Sequence, residues 1–129
     1  MSTTKSTGST NKAIFDRAFE DILKILDQRH NQGKGGRGKL TNSNLRKILE
    51  IVNSTVDKER ALLEIAYLVA RNAEEKTRDS ELWKLFENLK TIESLEGLRE
   101  YMKTVVMCFY VYYSVNENLN VLKNLRRAG

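Results

Sequence analysis

Apolar residues return at intervals of three and four along most of this chain, and no proline interrupts them. An α-helix has about 3.6 residues per turn, so this spacing gathers each segment's apolar side chains on one stripe that must be buried against another. Ile14, Phe15, Ala18, Phe19, Ile22, Leu23 and Leu26 predict a first helix from Ala13 to near Arg29. Leu45, Ile48, Leu49 and Val52 predict a second, after Thr41, Asn42 and Ser43, each able to accept a hydrogen bond from an orphan N–H at a helix start. Asp57 caps a third over residues 60–76, with Leu62, Ile65, Ala66, Val69 and Ala73 inward and Arg60, Glu64, Tyr67 and Arg71 outward. Asp79 and Ser80 open a short fourth with Leu82, Leu85, Phe86 and Leu89 inward and Trp83 to one side. Ser94 caps a long fifth whose stripe is Leu95, Leu98, Met102, Val105, Val106, Phe109 and Tyr113. Tyr101, Tyr110 and Tyr112 widen that surface beyond one face, so the fifth helix needs more than one neighbour, within the bundle or in another subunit.

The expected fold is therefore all-α: a compact bundle of about five helices with a flexible, basic, glycine-rich loop between helices 1 and 2. At 129 residues one domain is expected. Residues 1–11, rich in Ser and Thr without an apolar pattern, read as a disordered tail, and residues 12–115 as the bundle. Residues 116–129 form a basic extension with Lys123, Arg126 and Arg127. They leave room for a sixth short helix that docks on a partner through Leu119, Val121, Leu122 and Leu125. No apolar run approaches the ~20 residues of a membrane span and the N-terminus lacks a signal peptide's apolar core, so no membrane partner and a cytoplasmic location are expected. The single Cys108, in an apolar run, fits a reducing compartment.

Charge is distributed unevenly. The chain carries a formal net charge of +5, and all of it falls between Asn31 and Leu49, where Lys34, Arg37, Lys39, Arg46 and Lys47 stand without an acid. Glycines at 33, 35, 36 and 38 free the backbone of that loop to mould to a partner. Arg46 lies a quarter turn off the apolar stripe of the second helix and Lys47 opposite it, so both can reach solvent. Cations beside the exposed N–H groups of a helix start favour phosphate.

Catalytic and cofactor motifs are missing. Gly33, Gly38 and Lys39 have the spacing of a phosphate-binding loop, but Leu40 replaces its metal-binding hydroxyl and a helix precedes it where that motif needs a strand. His30 is the only histidine and has no companion ligands, so it reads as exposed and noncatalytic. The carboxylates alternate with Lys and Arg, as on solvated helix faces. No enzyme activity, metal or cofactor is expected.

The run Leu40-Thr41-Asn42-Ser43-Asn44-Leu45-Arg46-Lys47-Ile48-Leu49, followed by Ile65-Ala66-Tyr67-Leu68-Val69-Ala70-Arg71, resembles the small subunit of the type III-A CRISPR–Cas effector, the Csm complex. The resemblance covers roughly residues 12–115. It implies a noncatalytic, RNA-binding scaffold subunit of an antiviral ribonucleoprotein, stacking in several copies along the guide–target RNA duplex. The partners it implies are other copies of the chain, the CRISPR backbone subunits and the large subunit. Arg46 and Arg71 match the two family arginines and are the first candidates for contact with target RNA. Lys39, Arg37, Lys34, Lys47 and Arg78 follow on charge. Ala70 stands where many members have Gly, Tyr110 where relatives often have Lys, and the tail from Asn116 runs past the usual end. Two other readings stay open: a small helix-turn-helix DNA-binding protein using Asn44, Lys47 and Ile51, or a helical module that binds only protein.

Overall fold

A computed structural model describes residues 3–32, 39–72 and 80–128, and their regular elements are all α-helices. In chain order these are α1 (Thr3–Gln32), α2 (Asn42–Ser54), α3 (Lys58–Asn72), α4 (Glu81–Lys90), α5 (Leu95–Ser114) and α6 (Leu119–Ala128). The glycine-rich loop with Lys34 and Arg37, and the stretch holding Ala73, Arg78 and the predicted end of the third helix, lie outside the described residues.

Helix starts fall where capping chemistry puts them. The hydroxyls of Thr41, Ser80 and Ser94 accept hydrogen bonds from the N–H groups of Asn44, Trp83 and Gly97. Asp57 Oδ1 accepts from the Glu59 N–H at 3.3 Å. The start of α1 differs: it begins at Thr3, inside the segment expected to lack structure. Extending a helix from turns already nucleated is far cheaper than starting one, and no proline blocks this one.

α5 is the centre of the bundle. α1 packs along one side of it and α2 along the other, α3 lies on α2 and α4, and α6 rests on α1 and α5. The core joins Ile22 and Leu26 of α1, Ile48 and Val52 of α2, Ile65 and Val69 of α3, Leu82 and Leu85 of α4, and Leu98, Met102 and Val105 of α5. Three neighbours cover the wide apolar surface of α5, but its tyrosines sort differently from the expected stripe. Tyr101 and Tyr112 are fully buried, whereas Tyr110 and Tyr113 are 54% and 55% exposed. The row Tyr101, Val105, Cys108, Tyr112 turns inward, and Tyr113 falls outside the arc that α1 and α2 cover. In α3 the buried row is Ala61, Ile65, Val69, with Leu62 and Ala66 half-buried beside it.

Buried polar groups fasten the helices. Arg29 of α1 makes a two-pronged pair with Glu81 of α4, Nε to Oε2 at 2.8 Å and Nη2 to Oε1 at 2.6 Å, and also donates to the Leu40 carbonyl at 3.0 Å. Glu81 Oε1 in turn accepts from the Leu40 N–H at 2.7 Å. Burial alone would lower the Arg29 pKa, but the hydrogen bond and charge of Glu81 outweigh it and hold the guanidinium above its ordinary value. The ring of Phe109 lies 5.6 Å from the same guanidinium. Arg99 donates to the Val52 and Thr55 carbonyls at 2.8 and 3.0 Å, satisfying acceptors that the end of α2 leaves free. Tyr101 donates to Asp21 at 2.5 Å; burial first, and that bond second, push its pKa up.

The C-terminal helix docks on its own chain. Leu119 and Leu122 are buried, while Leu125 is 53% exposed and Val121 half-buried. Arg126 pairs with Glu20 at 3.0 Å and Asp16 at 3.1 Å, and Lys123 lies 3.6 Å from Asp27. Lys123 and Arg126 of α6 are thus met by an acidic row on α1, while Arg127 is exposed.

Candidate nucleic-acid interface

The first two turns of α2 form an exposed ridge. Ser43, Arg46 and Lys47 are exposed on it, while Leu45 and Ile48 anchor it below. Successive residues diverge by about 100° around a helix, so Arg46 and Lys47 serve different flanks.

On one flank Lys47 meets α3. Lys47, Tyr67, Leu68, Arg71 and Asn72 line a groove of about 180 Å³. The Arg71 guanidinium lies 5.5 Å from the centre of the Tyr67 ring, and Tyr67 is 64% exposed. Stacking of this kind orients a guanidinium face while leaving its N–H edges open to an anion. Two cations from separate helices and an exposed aromatic ring therefore share one concavity.

On the other flank lies the seam between α2 and α5, which run antiparallel. Leu49 and Asn53 share a groove of about 530 Å³ with Glu96, Arg99, Glu100 and Lys103. At the far end Thr41 and Asn42 share a cleft with Phe109 and Tyr113. Arg46 falls between, in the row Asn42, Arg46, Leu49, Asn53, and is exposed, as are Lys103, Met107 and Tyr110 of α5. Lys39 lines the same far cleft.

The structure thus parts the two arginines matched by the resemblance. Arg71 shares its groove with Lys47, and Arg46 lies on the row of α2 that borders α5. Lys34, Arg37 and Arg78 lie outside the described residues. Sequence reasoning missed Lys103 and the exposed Tyr113. The spacing of Lys103, Met107 and Tyr110 at four and three residues was the available signal, hidden by the apolar width of α5.

Other reactive groups are held in packing. Cys108 is buried and burial pushes its thiol up to about 12, so it is not a nucleophile at neutral pH. His30 is exposed, with Nε2 3.0 Å from the Tyr112 hydroxyl. Ile51, one of the residues a helix-turn-helix reading would aim at DNA, packs half-buried against the core. No described helix is long and apolar enough to cross a membrane. No family model matches the chain, and neither a curated protein nor a solved structure does.

Proposed function

We propose that this chain is a noncatalytic RNA-binding subunit that holds a strand by its phosphates, and that it serves as the small subunit of a type III-A CRISPR effector. The convergence of Lys47 and Arg71 on one groove beside exposed Tyr67 carries the reading. Side chains from two helices meet there with the forked and point-charge donors that suit phosphate oxygens. The local charge excess and the resemblance over residues 40–49 and 65–71 agree with it. Sequence would then be read by pairing between guide and target, and the protein would supply position rather than specificity. Few cations per copy make several copies along one RNA necessary for tight retention.

A pulldown from native cells tests the assembly: CRISPR backbone subunits and a guide RNA should accompany the chain. Filter binding against a salt series tests the contact. Log affinity for single-stranded RNA should fall by about 0.7 per phosphate contact per log unit of salt. The Lys47→Ala/Arg71→Ala variant should lose about two contacts' worth of that slope; an unchanged slope sinks the groove. A protein-only module is the second reading, favoured by Val56, Leu63 and Tyr67, which stand 92%, 70% and 64% exposed along the outer side of α3 and the turn before it. Recovery of protein partners with no RNA would support it.

A further inference from the structure

A cleft of about 300 Å³ opens between the start of α2 and the end of α5, lined by Arg29, Lys39, Thr41, Asn42, Phe109 and Tyr113 among others. Its size suits one small ring system. The Tyr113 ring lies nearly parallel to that of Phe109, 14° between planes and 6.2 Å between centres, while 55% of Tyr113 stays open to solvent. A flat aromatic surface is thus held in a fixed orientation by the core and left uncovered. Folding gains little from that exposure, because a buried tyrosine here would have contributed more. Tyr110, one turn back on α5, is equally open. Lys39 stands in the same cleft as Tyr113, Lys103 lines the groove at the other end of the seam, and Arg46 is exposed on the α2 row between them. Glu117 also lines the cleft, with its carboxylate 3.9 Å from Arg29 Nη1, but Glu81 already meets the Arg29 charge, so Lys39 is the cation left there to attract a phosphate.

We infer that Tyr113 is a stacking platform for an unpaired base of single-stranded RNA, with Lys39 and Arg46 holding the adjoining phosphates. Alternation of aromatic faces with cations is the arrangement by which proteins hold single strands without reading sequence, since every base has a π-face. A duplex keeps its bases stacked on one another and cannot use the platform, so the base comes from a stretch of the held strand that is not paired to the guide. The strand therefore crosses the α2 ridge, with phosphates in the Lys47–Arg71 groove on one flank and a splayed base on the other. This inference rests on the RNA-binding reading above.

The test uses the full chain and a short single-stranded oligoribonucleotide carrying 2-aminopurine, whose fluorescence is quenched by stacking. Anisotropy reports binding and quenching reports the platform. Wild type should bind and quench. Tyr113→Ala should weaken binding about tenfold and abolish the quench, and Tyr113→Phe should stay within about twofold of wild type. A duplex carrying the same base should show no protein-dependent quench. Circular dichroism melting confirms that each variant is folded. If Tyr113→Ala binds and quenches like wild type while Lys47→Ala/Arg71→Ala binds weakly, the platform is overturned and the RNA reading stands. If wild type binds no RNA, both fall. If Tyr113→Ala changes self-association and leaves RNA binding intact, the surface belongs to a protein interface and the platform is overturned.

Discussion

Arg29 shows how much one side chain decides here. Its side chain is 10% exposed and that of Glu81 is 14%, and between them they tie α1 to α4 and to the backbone just before α2. A pair so placed stabilises little over an apolar substitute, but removing one partner strands a buried charge. Glu81→Ala should therefore cost about 3 kcal/mol in a urea titration, whereas the exposed i,i+4 pair of Arg60 and Glu64 should be removable with no measurable change. Cys108 gives a second readout. Its thiol should react with a disulfide reagent at pH 8 about a hundredfold more slowly in the native protein than in the unfolded chain. The same burial has a sign on the pH axis. The native thiol keeps its proton up to about 12 while the unfolded chain loses it near 9.0, so the native state binds more protons in that window. Stability should fall as pH rises through it, and more gently in Cys108→Ala.

At the scale of elements, two contacts set the docking of helices. A Cβ on Gly97 would come within 2.8 Å of Ile92 Cγ2 and 3.0 Å of Ile14 Cδ1. Alanine gains about 1 kcal/mol in helix propensity, but overpacking there costs roughly 1–3 kcal/mol, so Gly97→Ala should be destabilising on thermal melting. For α6 the buried Leu122 outweighs the ion pairs. Leu122→Ala should cost at least ~2 kcal/mol, and Arg126→Ala less than ~1 kcal/mol, an effect that shrinks with added salt. The cap at Ser94 was legible in the sequence, and those at Thr41 and Ser80 were legible to within two or three residues, because each is settled within three residues. The burial of Tyr101 and Tyr112 rather than Tyr113 was not, because it depends on how α1 and α2 straddle α5. Nor was the Arg29–Glu81 pair, whose members stand 52 residues apart. The docking of α6 had left a trace: Asp16, Glu20 and Asp27 share a face of the first helix and carry the charge opposite to Lys123 and Arg126. In the candidate site the cations themselves were legible. Their division across the α2 ridge was not, since Lys47 and Arg71 meet only once α2 and α3 are packed.

In the whole molecule, the helix that completes the core comes late. α1 and α2 both bury their apolar faces against α5, which begins only at Leu95. A chain emerging from the ribosome in order carries Ile22, Leu26, Ile48 and Val52 before α5, the helix against which α1 and α2 chiefly pack, has been made. Folding must wait for pairings between distant segments, and the growing polypeptide is exposed to aggregation until they form. A fragment ending before Leu95 should show no cooperative melting transition and should bind a hydrophobic dye. Stalled or truncated products of this gene would thus be substrates for chaperones and proteases, and the cell would accumulate only chains translated through α5.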